Sequence, residues 1–72
     1  MSDNVYSVTE IVGSSGKSIE DAIDNALATA SKTLRNLDWF QVIDTRGHIA
    51  DGKVAHYQVH LKLGFRYDRS GA

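Results

Sequence analysis

Cysteine and proline are both missing from this chain, and each absence removes something. Without thiols, no disulfide can staple a small fold and no thiolate can hold a metal. Without proline, nothing interrupts long regular elements joined by short turns. No apolar run approaches the roughly 18 residues of a membrane-spanning helix, and no signal-like segment is present, so a soluble, cytoplasmic protein with no membrane partner is expected. The formal net charge is only −1, with acids and bases interspersed. Nucleic-acid binding through phosphate neutralisation needs a basic face, so no such partner is expected. Seventy-two residues lie close to the lower limit for a self-sufficient core, and with other staples excluded the remaining remedy is oligomerisation. We expect one domain over 1–72, with loose tails at 1–4 and 70–72.

The most informative stretch is Val54 to Tyr67. Its odd positions, Ala55, Tyr57, Val59, Leu61, Leu63, Phe65 and Tyr67, are apolar or aromatic; its even positions from His56 are polar or Gly. Such period-two alternation marks a half-buried strand. At about 3.3 Å per residue it runs roughly 45 Å, more than so small a chain can cover. Either it bends, with Gly64 as the bend, or it extends into a neighbouring subunit's territory.

The remaining elements clad this strand. Val5 to Val12 reads as a strand with Tyr6, Val8 and Val12 on one parity, and Gly13 to Gly16 as a loop. Ser18 is placed to cap a helix, with Asp21 in the manner of a capping box. Ile19, Ala22, Ile23, Ala26, Leu27, Ala30, Leu34 and Leu37 recur at intervals of three and four, predicting a helix from Ile19 to about Asn36. Lys32 and Arg35 would then complement its C-terminal dipole. Asp38 turns the chain, Trp39 to Arg46 returns as a strand, and Gly47 to Gly52 makes a hairpin loop. The fold class is α+β: β-α-β-β, a three-stranded antiparallel sheet packed on one helix. The tightest arrangement places the last strand between the other two and leaves one sheet face bare, which calls for a closed oligomer.

Several motifs invite chemistry and decline it. Gly13-Ser-Ser-Gly-Lys-Ser18 resembles a phosphate loop, but has two residues where four are needed, with Ile11 at the first Gly position. His56 and His60 lie about 13 Å apart on an extended strand, too far to share one metal within a chain; no metal ligand set is assigned. No nucleophile elbow or carboxylate pair suggests catalysis, so no catalytic residue is assigned. Trp39 is different. Phe40 and Val42 occupy the parity able to meet the helix, which turns the indole outward. Gln58 lies on the polar parity of the long strand, also outward. An exposed ring and a carboxamide on one bare face suit a planar heteroaromatic ligand, and Arg46 adds a donor nearby.

Glu10-Ile-Val-Gly-Ser-Ser15, Glu20-Asp-Ala-Ile23, Lys32-Thr-Leu-Arg-Asn-Leu-Asp-Trp-Phe40, Arg46-Gly, Asp51-Gly-Lys-Val-Ala-His-Tyr-Gln58 and Gly64-Phe-Arg66 together resemble a bacterial dodecin, from about Val5 to Tyr67. The resemblance implies a hollow homododecamer that binds riboflavin, lumichrome or FMN at subunit interfaces. Its implied role is to store flavin and suppress its photochemistry rather than to act as an enzyme. By position, Trp39 matches the tryptophan that stacks on the isoalloxazine, Gln58 the glutamine that bonds the flavin edge, and Arg46 an arginine near the flavin. Asp38 and Tyr6 are expected to line the pocket. Gln41 stands where Glu is expected after Trp-Phe, and Ser7 and Val8 replace lysines of some relatives. The alternatives are a flavoenzyme using the same pocket, or a structural shell or carrier for another planar cofactor.

Overall fold

The computed structural model describes residues 4–67. In chain order the elements are β1 (Tyr6–Ser15), α1 (Ile19–Ala30), β2 (Leu37–Ala50) and β3 (Lys53–Arg66). The sheet order is β1-β3-β2, with β3 antiparallel to both neighbours. This is the expected β-α-β-β arrangement: the helix carries the chain past one strand position, which β3 then fills. Of the expected loose tails, residues 1–3 and 70–72 lie outside the described residues.

The core forms where the odd positions of β3 meet the helix. Val59, Leu61 and Leu63 are completely buried, against the small residues Ala22, Ala26 and Ala30. Alanines at intervals of four form a flat helix stripe, so the helix and sheet backbones approach closely. Gly13, paired with Val59, carries this to its limit: a Cβ there would run into the Ala22 carbonyl and the Ala26 methyl. Gly13 is therefore not in a loop. β1 continues beneath the helix to Ser15, where the Ser15 hydroxyl donates to Asp21 Oδ2 at 2.6 Å and accepts from Lys17 N–H at 2.9 Å. Ser18 is the N-cap, its side chain accepting from Asp21 N–H at 2.9 Å, but the Asp21 carboxylate bonds Ser15 rather than reaching back as a capping box would.

The helix stops at Ala30, not Asn36. The hydroxyls of Ser31 and Thr33 bond the carbonyls of Ala28 and Ala30, competing with the helical ladder. Leu34 N–H closes a last turn onto Ala30 O, and Asn36 adopts a left-handed φ of 64°. Leu34 and Leu37 still pack against the core, so a turn satisfies the spacing that suggested more helix. Lys32 and Arg35 fall beyond the last helical turn, which contains no base.

β2 is longer than expected at both ends: Asp38 is already in strand, and Gly47 pairs with Tyr57 within the ladder. The hairpin turn is only Asp51-Gly52, with φ of 53° and 73°, the two positive values of a type I′ turn. Pairing of β1 with β3 ends at Ser15↔Tyr57, whereas β2 pairs with β3 out to Ala50↔Lys53, so the hairpin tip projects past β1. The Cα radius of gyration, 14.9 Å, exceeds the about 11 Å of a compact chain this long. Pairing with β1 runs unbroken through Gly64, while the β2 register shifts beside it, between Leu37 and Trp39.

The helix lies over β1 and β3 and leaves β2 uncovered. Phe40 and Val42 pair with Leu63 and Leu61, which puts them on the helix side, yet they are 46% and 41% exposed. The expectation that they meet the helix is thus corrected: their parity is right, but α1 is too far across the sheet. A groove of about 390 Å³ lies between α1 and Phe40, lined by Leu27, Ala28, Leu37, Trp39 and Phe40 among others.

Candidate functional site

The even positions of β3 face away from the helix. Directly cross-paired residues of an antiparallel sheet point to the same side, so the register maps this open face in rows. Tyr6 lies opposite Arg66; Val8, Gly64 and Trp39 follow; then Glu10, Lys62 and Gln41; then Val12, His60 and Asp44; then Ser14, Gln58 and Arg46; and finally His56 and His48. Trp39 to Gln41 are odd and Asp44 to His48 even, because a β-bulge between Val42 and Asp44 shifts the alternation by one. Without that bulge Arg46 would point to the helix side, opposite Trp39. Strict parity counting misses this, and no residue type in the sequence announces it.

At one end of the face Trp39 is 41% exposed, on the outward side as expected. Its indole crosses β3 over Gly64, where any Cβ would fall within the ring, and approaches Tyr6 at 6.3 Å between centroids, tilted by 53°. Tyr6 donates from its hydroxyl to Asp38 Oδ2 at 2.9 Å. Tyr6, Asp38 and Trp39 therefore form one cluster spanning β1 to β2. Asn36 braces this end: its carbonyl accepts Arg66 N–H at 3.0 Å and its amide donates to Arg66 O at 3.4 Å. The sequence signal for the ring's seat was present in Gly64, the one position of the polar parity with no side chain.

Gln58 and Arg46 pair with one another elsewhere on the face. Gly64 lies six residue steps along β3 from Gln58, about 20 Å of strand. One protomer thus carries two half-sites: an aromatic one at Trp39, and a polar one at Gln58 and Arg46. Between them runs a charged chain across all three strands. His60 Nε2 lies 2.7 Å from Glu10 Oε1, His60 Nδ1 lies 4.0 Å from Asp44 Oδ2, and Arg46 Nη2 donates to Asp44 Oδ1 at 3.4 Å. His56 stacks on His48, 5.1 Å between centroids and 9° from parallel. The phosphate-loop look-alike is resolved as strand end, Ser15 bridge and Ser18 cap. No helix among the described residues is long and apolar enough to cross a membrane.

Fold and face together define a class: a small protein with a helix behind a three-stranded sheet whose other face bears an exposed indole. The sequence model of one family, Dodecin, matches residues 5–68. The dodecin of Thermus thermophilus is 50% identical over 66 residues, covering 92% of this chain and 96% of its own. The chain belongs to the dodecin family. The structure of dodecin from Streptomyces coelicolor aligns with a TM-score of 0.90 at 55% identity, over 96% of this chain and 99% of that one. The calcium-chelating calcium dodecin of Mycobacterium tuberculosis aligns with a TM-score of 0.77 at 28% identity, over 92% and 94% of the two chains.

Proposed function

We propose that this protein binds riboflavin or FMN at the interfaces of a homododecamer, holding the flavin between symmetry-related Trp39 rings, and that it stores and protects flavin rather than transforming it. The observation that carries this reading is the indole seated over Gly64 on the sheet face turned away from the helix, where it stays 41% exposed among the described residues. A ring in that position offers a flat, apolar stacking surface, and the bare glycine leaves the strand low beneath it. The separation of the half-sites supports an interface. A planar ring stacked on one protomer's Trp39 lies far from that protomer's Gln58, so simultaneous stacking and edge recognition draw on two copies. Gln58 supplies a paired donor and acceptor suited to the edge of a heterocycle, and Arg46 supplies donors only. Tyr6 and Asp38 hold the aromatic end in place through their mutual hydrogen bond.

A bound flavin contributes a photoexcitable, redox-active ring. An electron-rich indole against it quenches excitation by electron transfer. Ligand bound only by the assembled form also stabilises the assembly by mass action.

The test is titration of the protein into riboflavin and into FMN while flavin emission is followed. Stoichiometric loss of emission is expected, with a protein sedimenting as a closed oligomer. Trp39→Ala should weaken binding by about tenfold to a hundredfold, the scale of one lost planar stack, and leave the sedimentation coefficient unchanged. A protein indifferent to both flavins overturns the reading, and turnover of a nicotinamide donor at catalytic protein levels replaces it with a flavoenzyme.

A further inference from the structure

Past the pair Ser15↔Tyr57, where β1 ends, β3 pairs with β2 alone. His48 and His56 sit on this projecting hairpin as direct cross-strand partners. Directly opposed residues of an antiparallel pair point to the same side, with Cβ atoms about 4.5–5.5 Å apart. The two rings accordingly lie face to face, 5.1 Å between centroids and 9° from parallel. His60, by contrast, already has Glu10 Oε1 at 2.7 Å and Asp44 Oδ2 at 4.0 Å. No side-chain hydrogen bond among the described residues engages the nitrogens of His48 or His56. Two imidazoles are therefore held side by side at the surface, committed to no protein partner.

We propose that His48 and His56 together bind a divalent first-row transition ion, of the Zn2+, Ni2+ or Cu2+ class, which clips β2 to β3 at the end of the hairpin. Imidazole suits these ions, whereas Ca2+ and Mg2+ take oxygen donors, and the chain has no cysteine thiolate to compete. Two nitrogens at about 2.0–2.1 Å from a tetrahedral ion lie about 3.3 Å from each other, a separation that opposed side chains can reach. Parallel rings do not aim their lone pairs at one point, so each must move to another staggered rotamer for two nitrogens to converge. His48 is exposed and His56 half-buried; the move gives up the face-to-face contact and breaks no hydrogen bond. Among the described residues no set of three or more His, Asp or Glu could hold an ion. The pair thus supplies two ligands, and water fills the remaining positions. Arg46, two residues before His48 on the same face, opposes a cation, but Asp44 lies 3.4 Å from its guanidinium and offsets that charge. The consequence is local. A strand end with one neighbour opens more readily than the centre of a sheet, and an ion joining the two strands holds it closed.

The experiment adds Cu2+ or Zn2+ to untagged wild-type protein and to His48→Asn, His56→Asn and His60→Asn. No flavin is present, so the outcome is independent of the flavin reading. Electron paramagnetic resonance of the copper form counts nitrogen ligands by their hyperfine splitting. Two imidazole nitrogens are expected in the wild type and in His60→Asn, and no more than one in either hairpin variant. Calorimetry with Zn2+ should give one ion per chain. Its affinity should fall by at least about tenfold to a hundredfold in His48→Asn and in His56→Asn, the loss that follows when merely an orienting partner of a ligand is removed. Amide hydrogen exchange across residues 48–56 should slow with Zn2+ in the wild type alone, and Ca2+ should leave it unchanged. A wild-type copper spectrum with fewer than two nitrogens overturns the proposal, whatever the variants do. Zn2+ bound as tightly by His48→Asn as by the wild type also overturns it. So does loss of binding in His60→Asn alone, which places the ion beside Glu10.

Discussion

Along β3 the chain presents two different surfaces one residue apart. Val59, Leu61 and Leu63 are sealed against three alanines, whereas Gln58, His60 and Lys62 on the opposite side stay partly exposed, with no helix over them among the described residues. The covered face is specified by size: large residues from the strand, small ones from the helix, with Gly13 removing the last obstruction. The open face is specified by functional groups, yet uses the same device once, at Gly64, where the missing side chain admits an indole instead of a helix. Close approach through glycine thus serves helix packing on one side and the seating of an exposed indole on the other. Among the described residues, large apolar side chains remain exposed on this open face, Val8, Val12 and Trp39 among them, and on the helix side too, where α1 does not reach Phe40 and Val42. A chain with so little buried core needs its copies.

The comparison breaks most readily under the helix. Leu61→Ala should destabilise by about 2–5 kcal/mol, the range for a fully buried leucine that leaves a cavity. Val12→Ala, a smaller cut on the open face, should cost within about 0.5 kcal/mol if that position stays in water. Chemical denaturation of both variants at equal protein concentration measures the contrast. A Val12→Ala loss rivalling that of Leu61→Ala would mean that another copy buries the open face at Val12 as tightly as the helix buries the other.

The two glycines sharpen the contrast. Gly13→Ala drives a methyl into the Ala22 carbonyl and Ala26, backbone and helix together, and should cost about 1–3 kcal/mol as overpacking. Gly64→Ala meets the indole first, a side chain that can rotate away, and alanine restricts the unfolded chain more than glycine. Its stability should change by less than about 1 kcal/mol, while near-ultraviolet circular dichroism reports the displaced ring and flavin affinity falls. Equal destabilisation by both substitutions would show that the Trp39 seat is part of the core.

What the sequence made legible divides along the same line. The covered face could be read because burial leaves a period: the alternation of β3 and the three- and four-residue spacing of α1 both place the correct residues inside. Element ends were less legible, since Ser31, Thr33 and Asn36 stop the helix by local hydrogen bonds that do not disturb the apolar spacing of Leu34 and Leu37. The outward placement of Trp39 followed from parity, although Phe40 and Val42, on which that argument leaned, do not reach the helix. Arg46 reached the open face only through the bulge before Asp44, which shifts parity without a compositional mark. The Glu10–His60–Asp44–Arg46 chain was invisible because it depends on the register of three strands, not on spacing along any one of them.

The smallest effect probes that chain. With the imidazole protonated, Glu10→Gln keeps an acceptor for His60 Nε2 but removes the negative charge from a pair whose side chains are 54% and 27% exposed. Solvent screening limits such a pair to about 0.2–1 kcal/mol, and salt should erase most of it, because the Debye length shrinks from about 30 Å at 0.01 M to about 3 Å at 1 M ionic strength. Unfolding of wild type and variant at the two ionic strengths should therefore converge, whereas the Leu61→Ala deficit, which has no charge in it, should not. If the Glu10→Gln deficit survives high salt, the pair is shielded from ions. On a face that the described residues leave open, such shielding is the mark expected of a neighbouring subunit.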